Sequence, residues 1–469
     1  MKMTRLKIAL RKWSSVVIVS YLLVPSLLGA SERFPLGILG AHGEVEPGSS
    51  LITIVSIQKG SPADQAALQL NDRISGIAGT PFNPHTKKVD DGGSGPQKSL
   101  GEFLDLTASK TSSDDRKFQL DIFRGEEEKN LALQITCQLP MRPRVLESEG
   151  KKQLQTQAAN QLGKTISPKG YWDSPVGLTG DRVLTAWATV ALIASGRQQD
   201  LAVAEIAHRW LTGPQQQSWI PDNPLEKGPD NLGNWAITST VIALVEYCGG
   251  NPDKDLQTVL ERNCNALKSR MDPTGLFGHD VVPGYNKKGF NVINTLSHLA
   301  WAMGEKAKIP IDNKIWDLSI EQIRRSIDPN GGVRYWTLKN TGTGDASLRT
   351  SSMALALGLK KSDEKMLDRL SSYLDQYNSR TREAHAVGSL GMILAPAALW
   401  RHDKEAYQRF VSEWRWYLAL MQDHKGEIHY IGGKGNNGGD SYLGKNRIAC
   451  IIALMILSPP DEKLILFKK

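Results

Sequence analysis

Gly331-Gly-Val-Arg-Tyr-Trp and the apolar run at residues 348–359 that follows it are one copy of the pattern that decides the fold of this chain. Three more copies pair a glycine-rich turn with an apolar run, and they begin at Gly170-Tyr-Trp-Asp, Gly275-Leu-Phe-Gly-His-Asp and Gly426-Glu-Ile-His-Tyr. Weaker copies at residues 233–248 and 380–399 fill the gaps. About six recurrences predict a repeat architecture in which each copy is one helical hairpin and neighbouring copies bury each other's apolar faces.

The helices predicted within the repeats are of two kinds. Runs such as residues 183–195 and 292–303 are apolar on most faces, which is typical of buried helices, whereas runs such as 256–269 and 364–377 are amphipathic. Inner helices that alternate with half-exposed outer ones predict a closed ring, the α/α toroid, with an open superhelix of helix pairs as the alternative. In such a ring, the loops that enter the inner helices gather over one end.

Residues 31–140 have a different character. Short apolar runs bounded by turn residues predict five strands and two short helices; the strands are at 36–39, 51–57, 73–77, 118–123 and 131–136, and the helices at 61–68 and 100–108. The sequence therefore predicts a multidomain protein. A small β-rich domain is followed by a polar linker at residues 141–155 and by an all-α toroid of about six helical hairpins at residues 156–469.

The first 30 residues have the features of a secretory signal. Basic residues precede an apolar run at residues 16–28, and the small residues Gly29-Ala30 follow it. The run is shorter than the roughly 20 residues that span a bilayer, so we predict a signal peptide at residues 1–30 and export to the periplasm or the extracellular space. An uncleaved anchor is the alternative, because Leu28 is large for its position. The mature chain is predicted to have no membrane span.

Charge and cysteine content exclude two classes of function. The chain has 57 Lys+Arg and 49 Asp+Glu, for a net charge of +8, but no basic stripe interleaved with aromatic residues, so nucleic acid is not a predicted partner. The four cysteines show no CxxC spacing and no dense framework. We predict buried free thiols, with a contact between Cys248 and Cys264 across a helical hairpin as the alternative.

The β-rich domain resembles a PDZ domain of the bacterial, protease-associated type. The resemblance rests on Pro35-Leu-Gly-Ile-Leu, on Gly60-Ser-Pro-Ala, and on Asn71-Asp-Arg-Ile followed by Gly79. It implies a loop whose N–H groups hold a peptide carboxylate and a helix that supplies a pocket; the implied residues are Leu36, Gly37, Ile38 and Leu39 in the loop and Phe103 and Leu104 on the helix. An extended peptide would add to the sheet as a strand.

Capture of a protein C-terminus or an extended peptide is therefore the leading prediction, with the toroid as a second recognition site. A PDZ-like fold that only docks on its own neighbouring domain is the alternative for this part of the chain.

Residues 155–460 resemble in architecture the terpenoid-cyclase, prenyltransferase and six-hairpin glycosidase group. The turns that carry this resemblance are Asp272-Pro-Thr-Gly-Leu-Phe, Asp328-Pro-Asn-Gly-Gly-Val and Asp423-His-Lys-Gly-Glu-Ile. The Asp-x-Asp-Asp proton donor of triterpene cyclases has no counterpart in the sequence of the toroid, and the closely placed Asp and Cys of zinc-dependent prenyltransferases have none either. No phosphate-binding or dinucleotide-binding motif follows a strand, so neither a cofactor nor a metal is predicted.

The loop end of the ring is the predicted place for a second site. Aromatic rings, carboxylates and arginines suit a glycan, because a pyranose has apolar faces and a polar rim. The predicted glycan-binding residues are Trp172, Tyr285, Arg334, Tyr335 and Trp336. The candidate catalytic residues are His279, Asp280, Asp345, His429 and Asp440, with His279 and Asp280 as the first pair to test.

Two enzyme mechanisms would use these residues differently. An inverting hydrolase needs two carboxylates about 6.5–9.5 Å apart, which Asp280 with Asp345 or Asp440 would supply. A lyase acting on an acidic sugar needs a neutralised carboxylate and a base, for which the candidates are Asn291, His279, Tyr285 and Arg334. A polysaccharide-active enzyme is the alternative to peptide capture. A structural scaffold, in which these residues only form turns and helix caps, is the third reading.

Overall fold

The computed structural model describes residues 32–84, 95–125, 131–218, 220, 232–280, 289–337, 342, 345–384, 387–432, 440 and 443–469. The predicted signal peptide and Tyr285 lie outside these residues.

The N-terminal part of the chain is one antiparallel sheet. Its strands are β1 (Glu32–Pro35), β2 (Ala41–Val45), β3 (Ile52–Ile57), β4 (Arg73–Ile77), β5 (Thr80–Pro81), β6 (Lys117–Arg124) and β7 (Leu131–Gln138). They lie in the order β1-β2-β3-β4-β6-β7, with β5 paired to β4. Along β2 every second residue is buried, because one face of the sheet packs on the core.

Two helices accompany the sheet. The first, α1 (Pro62–Gln65), is capped by the Ser61 hydroxyl, and the second, α2 (Gly95–Ala108), contributes Leu100 and Leu104 to the core. The segment predicted as a strand at residues 36–39 is instead a 3-10 turn, Gly37–Leu39. Gly37 and Gly40 have φ of 57° and 68°, a left-handed backbone that breaks an extended strand.

The rest of the chain consists of helices that alternate between two layers. The inner helices are α4 (Leu178–Ser195), α7 (Gly233–Tyr247), α9 (Asn291–Lys306), α11 (Ser347–Lys360), α13 (Gly388–His402) and α16 (Lys445–Leu457). The outer helices are α3 (Ser148–Lys164), α5 (Gln198–Thr212), α8 (Lys254–Arg270), α10 (Asn313–Arg324), α12 (Glu364–Gln376) and α14 (Lys404–Glu413). Two short helices, α6 (Pro214–Gln217) and α15 (Arg415–Met421), follow outer ones.

The inner helices form a closed ring. Each packs against the next in the order α4, α7, α9, α11, α13, α16, and α16 returns to pack against α4. In α7 every residue from Gly233 to Glu246 is buried, and in α9 every residue from Asn291 to Gly304. Outer helices such as α12 are buried on one face only. The predicted α/α toroid is therefore confirmed.

The first outer helix, α3, begins at Ser148, within the segment predicted as a linker. That segment was assigned by its polarity. Three buried residues of α3, Leu154, Ala158 and Leu162, are spaced four apart, and only Leu154 of these falls before residue 156. The spacing places one face of α3 against α16 and α4.

The two ends of the ring differ. Because inner and outer helices alternate along the chain, the inner helices all run in one direction. Long connections, such as residues 325–346, precede them, whereas residues 361–363 suffice between α11 and α12. We call the end where the inner helices start the loop end.

The C-terminal tail lies at the opposite end. Leu464, Leu466 and Phe467 are fully buried there. The Glu246 carboxylate, near the end of α7, accepts the backbone N–H groups of Ile465 at 2.7 Å and of Leu466 at 2.8 Å. The tail is thus bound to the ring by hydrogen bonds as well as by apolar contact.

The Asp-x-x-Gly repeats are backbone turns. The N–H groups of Asp272, Asp328 and Asp423 each donate, at 3.0 Å, to the carbonyl four residues later. The glycine at the fourth position of each turn has φ between 86° and 90°. This geometry favours glycine and explains why the sequence repeats the residue.

All four cysteines lie in the described part of the chain and are free thiols. Burial raises the pKa of the Cys264 thiol to about 12, so this thiol is unreactive at neutral pH. Among the described residues, no helix combines the length and apolar character needed to cross a membrane.

The Glu246→Gln variant tests how the tail is bound. Burial raises the pKa of Glu246 from 4.5 to about 7, although two backbone N–H groups oppose the rise. Between these two pH values the Glu246 carboxyl is protonated in the folded protein and ionised in the unfolded chain. The free energy of unfolding therefore falls as the pH rises, by roughly 1.4 kcal/mol for each unit by which the two pKa values differ. We expect urea denaturation to show this fall in the wild type and not in the variant. Parallel pH profiles for the two proteins would contradict it.

Candidate functional site

The residues predicted to hold a peptide carboxylate are buried. Leu36, Ile38 and Leu39 are at most 2 % exposed, and Leu104 on α2 is fully buried. Phe103 packs edge-on against Phe118, with ring centroids 5.0 Å apart. β2, which follows the loop, pairs with β1 on one side and with β3 on the other, so both of its edges are already in use.

Helix α15 covers the same loop. A Cβ atom on Gly37 would lie 2.7 Å from the Ala419 carbonyl oxygen, and one on Gly101 of α2 would lie 2.7 Å from that of Trp416. The buried Arg142 guanidinium donates to the carbonyls of Ala419 at 3.2 Å and Gln422 at 3.0 Å, which satisfies the C-terminal end of α15. The face where the PDZ resemblance implies a peptide groove is therefore occupied by the chain itself.

At the loop end, the starts of α7, α9 and α11 bring an aromatic cluster together. Trp235 of α7 donates its indole N–H to Nδ1 of His279 at 2.9 Å. The ring of Phe290, which directly precedes α9, lies 4.3 Å from that of His279 and 5.0 Å from that of Tyr335. Trp336 stands edge-on to Tyr335 at 4.7 Å. An isolated β-bridge between Phe290 and Trp336 holds the two loops together.

His279 is a neutral imidazole at pH 7. Burial lowers its pKa to about 4. An indole N–H is a donor only, so Nδ1 must accept and the proton of the neutral ring lies on Nε2. His279 therefore offers an N–H donor at Nε2 and is not a general base in this state.

Arg349 and Asp345 lie beside the aromatic cluster. The fully buried guanidinium of Arg349 donates to Asp345 at 2.8 Å and to the Val333 carbonyl at 2.9 Å. Its central carbon lies 5.5 Å from the centre of the Tyr335 ring. The Asp345 side chain is 34 % exposed. The buried Arg349 guanidinium thus holds the Asp345 carboxylate in place, and part of that carboxylate is accessible to solvent.

Three other predicted residues at this end have structural partners. The Asp280 carboxylate pairs at 3.2 Å with the buried Arg270, so His279 and Asp280 point to different partners. Asn291 donates to the Arg334 carbonyl at 2.8 Å and accepts from the Thr337 hydroxyl at 2.7 Å. The Arg334 guanidinium pairs with Asp328 at 3.4 Å.

Asp440 forms a second polar centre, beside the start of α13. Its carboxylate accepts from the Ser389 hydroxyl at 2.6 Å, from the Ser389 N–H at 2.9 Å and from the Tyr430 hydroxyl at 2.5 Å. Burial raises the pKa of Asp440, against the effect of these hydrogen bonds. A carboxyl in such surroundings is suited to hold a proton.

His429 faces the sheet domain. Its Nε2 lies 3.0 Å from Oδ2 of Asp423, and its ring stands edge-on to that of His42 in β2, at 5.5 Å. The next residue, Tyr430, turns the other way, to Asp440. Trp172 is fully buried and donates to the Leu162 carbonyl at 3.0 Å.

The candidates therefore fall into separate groups. The structure brings His279, Tyr335, Trp336 and Asp345 together at the starts of three neighbouring inner helices, and Asp440 lies beside the start of the next one, α13. His429 belongs to the contact with the sheet domain.

Three residues of these centres were not among the predicted ones: Trp235, Phe290 and Ser389. A sequence signal existed for Trp235, because Gly233-Asn-Trp is the aromatic turn of a weak repeat. Phe290 and Ser389 carry no such signal, since their importance depends on contacts with distant residues.

The ring corresponds to one protein family. The family model described as "Domain of unknown function (DUF6288)" matches residues 153–467, and the chain belongs to this family. No curated protein matches the chain at a significant level.

Several solved structures are similar to the chain in the arrangement of their helices. The type II terpene cyclase MstE from Scytonema has 12% identity and a TM-score of 0.42 over 65% of this chain and 97% of its own. A family 76 glycoside hydrolase from a bovine Bacteroides thetaiotaomicron strain has 10% identity and a TM-score of 0.46 over 73% and 83%. A family 105 glycoside hydrolase from C. acetobutylicum has 11% identity and a TM-score of 0.40 over 66% and 99%.

Trp235→Phe tests the protonation state of His279. The variant keeps an aromatic ring but removes the N–H that occupies Nδ1, so a second proton is easier to place on the imidazole. We expect the pKa of His279 to rise by about 1 unit. NMR titration of histidines labelled at Cε1 measures it, with the signal assigned from His279→Gln. An unchanged pKa would show that burial alone determines it.

Gly37→Ala tests the contact between α15 and the sheet domain. Gly79→Ala is the matched control, because Gly79 also has positive φ, at 79°, but a Cβ there meets nothing within 4 Å. A left-handed backbone costs both variants about 1–2 kcal/mol. We expect Gly37→Ala to lose at least ~1 kcal/mol more in the free energy of unfolding, because its Cβ meets Ala419. Equal losses in urea denaturation would contradict the contact.

Proposed function

We propose that the loop end of the ring binds a glycan and that this member of the DUF6288 family is a polysaccharide-active hydrolase. The main support for the proposal is a group of side chains at the starts of α7, α9 and α11. It consists of half-buried Tyr335 and Trp336, the N–H donor of His279, and the partly exposed carboxylate of Asp345, which is paired with buried Arg349.

The aromatic residues support a sugar ligand. Tyr335 and Trp336 are half-buried, whereas Trp172 is fully buried, and their rings stand edge-on to each other beside the Arg349–Asp345 pair. A pyranose can lay its C–H face on one such ring while its hydroxyls bond to polar groups at the edge. His279 Nε2–H and Asp345 supply one donor and one acceptor of this kind.

The carboxylates support hydrolysis. An inverting mechanism needs a protonated acid and an ionised base on opposite faces of the sugar, about 6.5–9.5 Å apart. Burial raises the pKa of Asp440, which suits the acid, whereas Asp345 is partly exposed and able to activate a water molecule. The two residues lie at the starts of α13 and α11, which are neighbours in the ring.

The lyase mechanism and peptide capture have less support than hydrolysis. The lyase reading would use Asn291 and Arg334, but both already bond to neighbouring loop groups. Peptide capture would need an open edge on β2 and an open loop at Gly37, which β1 and α15 cover. Export from the cytoplasm remains a prediction from residues 1–30, and it would give the enzyme access to envelope or environmental polysaccharides.

A turnover screen with the full-length mature chain tests the proposal. Released reducing ends would report hydrolysis of neutral and acidic polysaccharides, and the ultraviolet absorbance of an unsaturated sugar would report elimination. We expect reducing ends without unsaturation. Asp345→Asn and Asp440→Asn should each lower kcat by about 100-fold or more, and Trp336→Ala should raise KM more than it lowers kcat.

Asp317→Asn is the matched control, because Asp317 is exposed on the outer helix α10, away from the loop end. It should keep wild-type turnover. The proposal is wrong if no glycan is cleaved or bound, or if the Asp345 and Asp440 variants remain as active as this control.

A further inference from the structure

The last of the three Asp turns carries side chains that the other two lack. All three turns have the same backbone hydrogen bond, from the Asp N–H to the carbonyl four residues on. The residue that bears this carbonyl, directly after the turn glycine, is Leu276 in the first turn, Gly332 in the second and Glu427 in the third. Two residues later the third turn has His429. Because the turn forms without these side chains in the other copies, Glu427 and His429 are not needed to fold it.

In the second turn, a positively charged side chain pairs with the aspartate. There the residue six positions after Asp328 is Arg334, whose guanidinium lies 3.4 Å from the aspartate. In the third turn the equivalent residue is His429, whose Nε2 lies 3.0 Å from Oδ2 of Asp423. A positive charge thus stands beside the turn aspartate in the second copy. In the third copy, a metal ion held by imidazole and carboxylates would supply it.

The three side chains have the geometry of a metal site. One ligand atom from each of Asp423, Glu427 and His429 lies within 4.8 Å of the other two. Backbone N–H groups of Lys425 and Glu427, both at 2.9 Å, fix Oδ1 of Asp423, so Oδ2 is directed towards His429. The His429 backbone is held by its N–H bond to the Met421 carbonyl at 2.7 Å. Two ligands are therefore preorganised, and Glu427 is exposed and able to move in.

Residues of the sheet domain support the same atoms. Gln58 donates its amide N–H to Oδ2 of Asp423 at 3.0 Å, and the ring of His42 stands edge-on to that of His429. Hydrogen bonds to a ligating carboxylate orient it and tune the metal.

We propose that Asp423, Glu427 and His429 bind a divalent metal ion at the contact between the ring and the sheet domain. One imidazole nitrogen and two carboxylate oxygens suit Zn²⁺ better than Mg²⁺, which prefers an all-oxygen shell. Solvent would complete the coordination on the side of Glu427. The site is separate from the aromatic cluster at the starts of α7, α9 and α11, and a bound ion would stabilise the segment that follows α15.

Zinc titration of the full mature chain tests this site. The protein is freed of metal with a chelator, dialysed and titrated with Zn²⁺ in a calorimeter, and bound metal is counted by elemental analysis. We expect one equivalent of zinc, at least about tenfold weaker binding of Mg²⁺, and a rise in the Tm of the wild type on adding zinc. Glu427→Gln and His429→Ala should each weaken zinc binding by about tenfold or more.

His402→Ala is the matched control. His402 lies 3.5 Å from Asp368, so it is also a histidine beside an aspartate, but among the residues that the structure describes no third ligand accompanies it. This variant should bind zinc like the wild type. Glu427 is exposed, so its variant separates loss of the site from loss of folding. The site does not exist if the wild type binds no stoichiometric zinc, or if Glu427→Gln binds zinc and gains Tm as the wild type does.

Discussion

Closure of the inner ring is the constraint on which the rest of the structure depends. α16 packs against α4, and so the last helix completes the burial of the first. A single hairpin could not bury helices that are enclosed on every side, such as α7 and α9. Closure also gathers the starts of the inner helices at one end, and the C-terminal tail lies at the other. The position of the candidate site is therefore a consequence of the packing.

The sheet domain is attached to the ring in a way that changes its expected role. The loop at residues 36–39, which was predicted to hold a peptide carboxylate, and helix α2 both lie against α15. Arg142, in the segment after β7, donates hydrogen bonds to the carbonyls at the end of that helix. Asp423 accepts a hydrogen bond from Gln58 on the same side. The surface that the sequence predicted as a peptide-binding groove is thus an internal contact, and it supports the segment that follows α15.

The sequence was a good guide to the repeating part of the structure. Glycine turns and apolar runs are local features with a known period, and they predicted the toroid and the loop end. Polarity alone misplaced the start of α3, because its buried residues are spaced four apart within a polar helix. Contacts between residues far apart in the chain were not predictable: Trp235 reaches His279, and Arg142 reaches Ala419. The partners of His429 and Tyr430 were not predictable either, because these adjacent residues contact different groups, Asp423 and Asp440.

We propose that the residues at the starts of α7, α9 and α11 bind a glycan. A crystal structure of the full mature chain with an oligosaccharide from a bound or cleaved polymer tests it most directly. We expect a sugar ring on Tyr335 or Trp336, with a hydroxyl within hydrogen-bonding distance of His279 Nε2 or of the Asp345 carboxylate. A sugar seated elsewhere, with Tyr335 and Trp336 unoccupied, would contradict it.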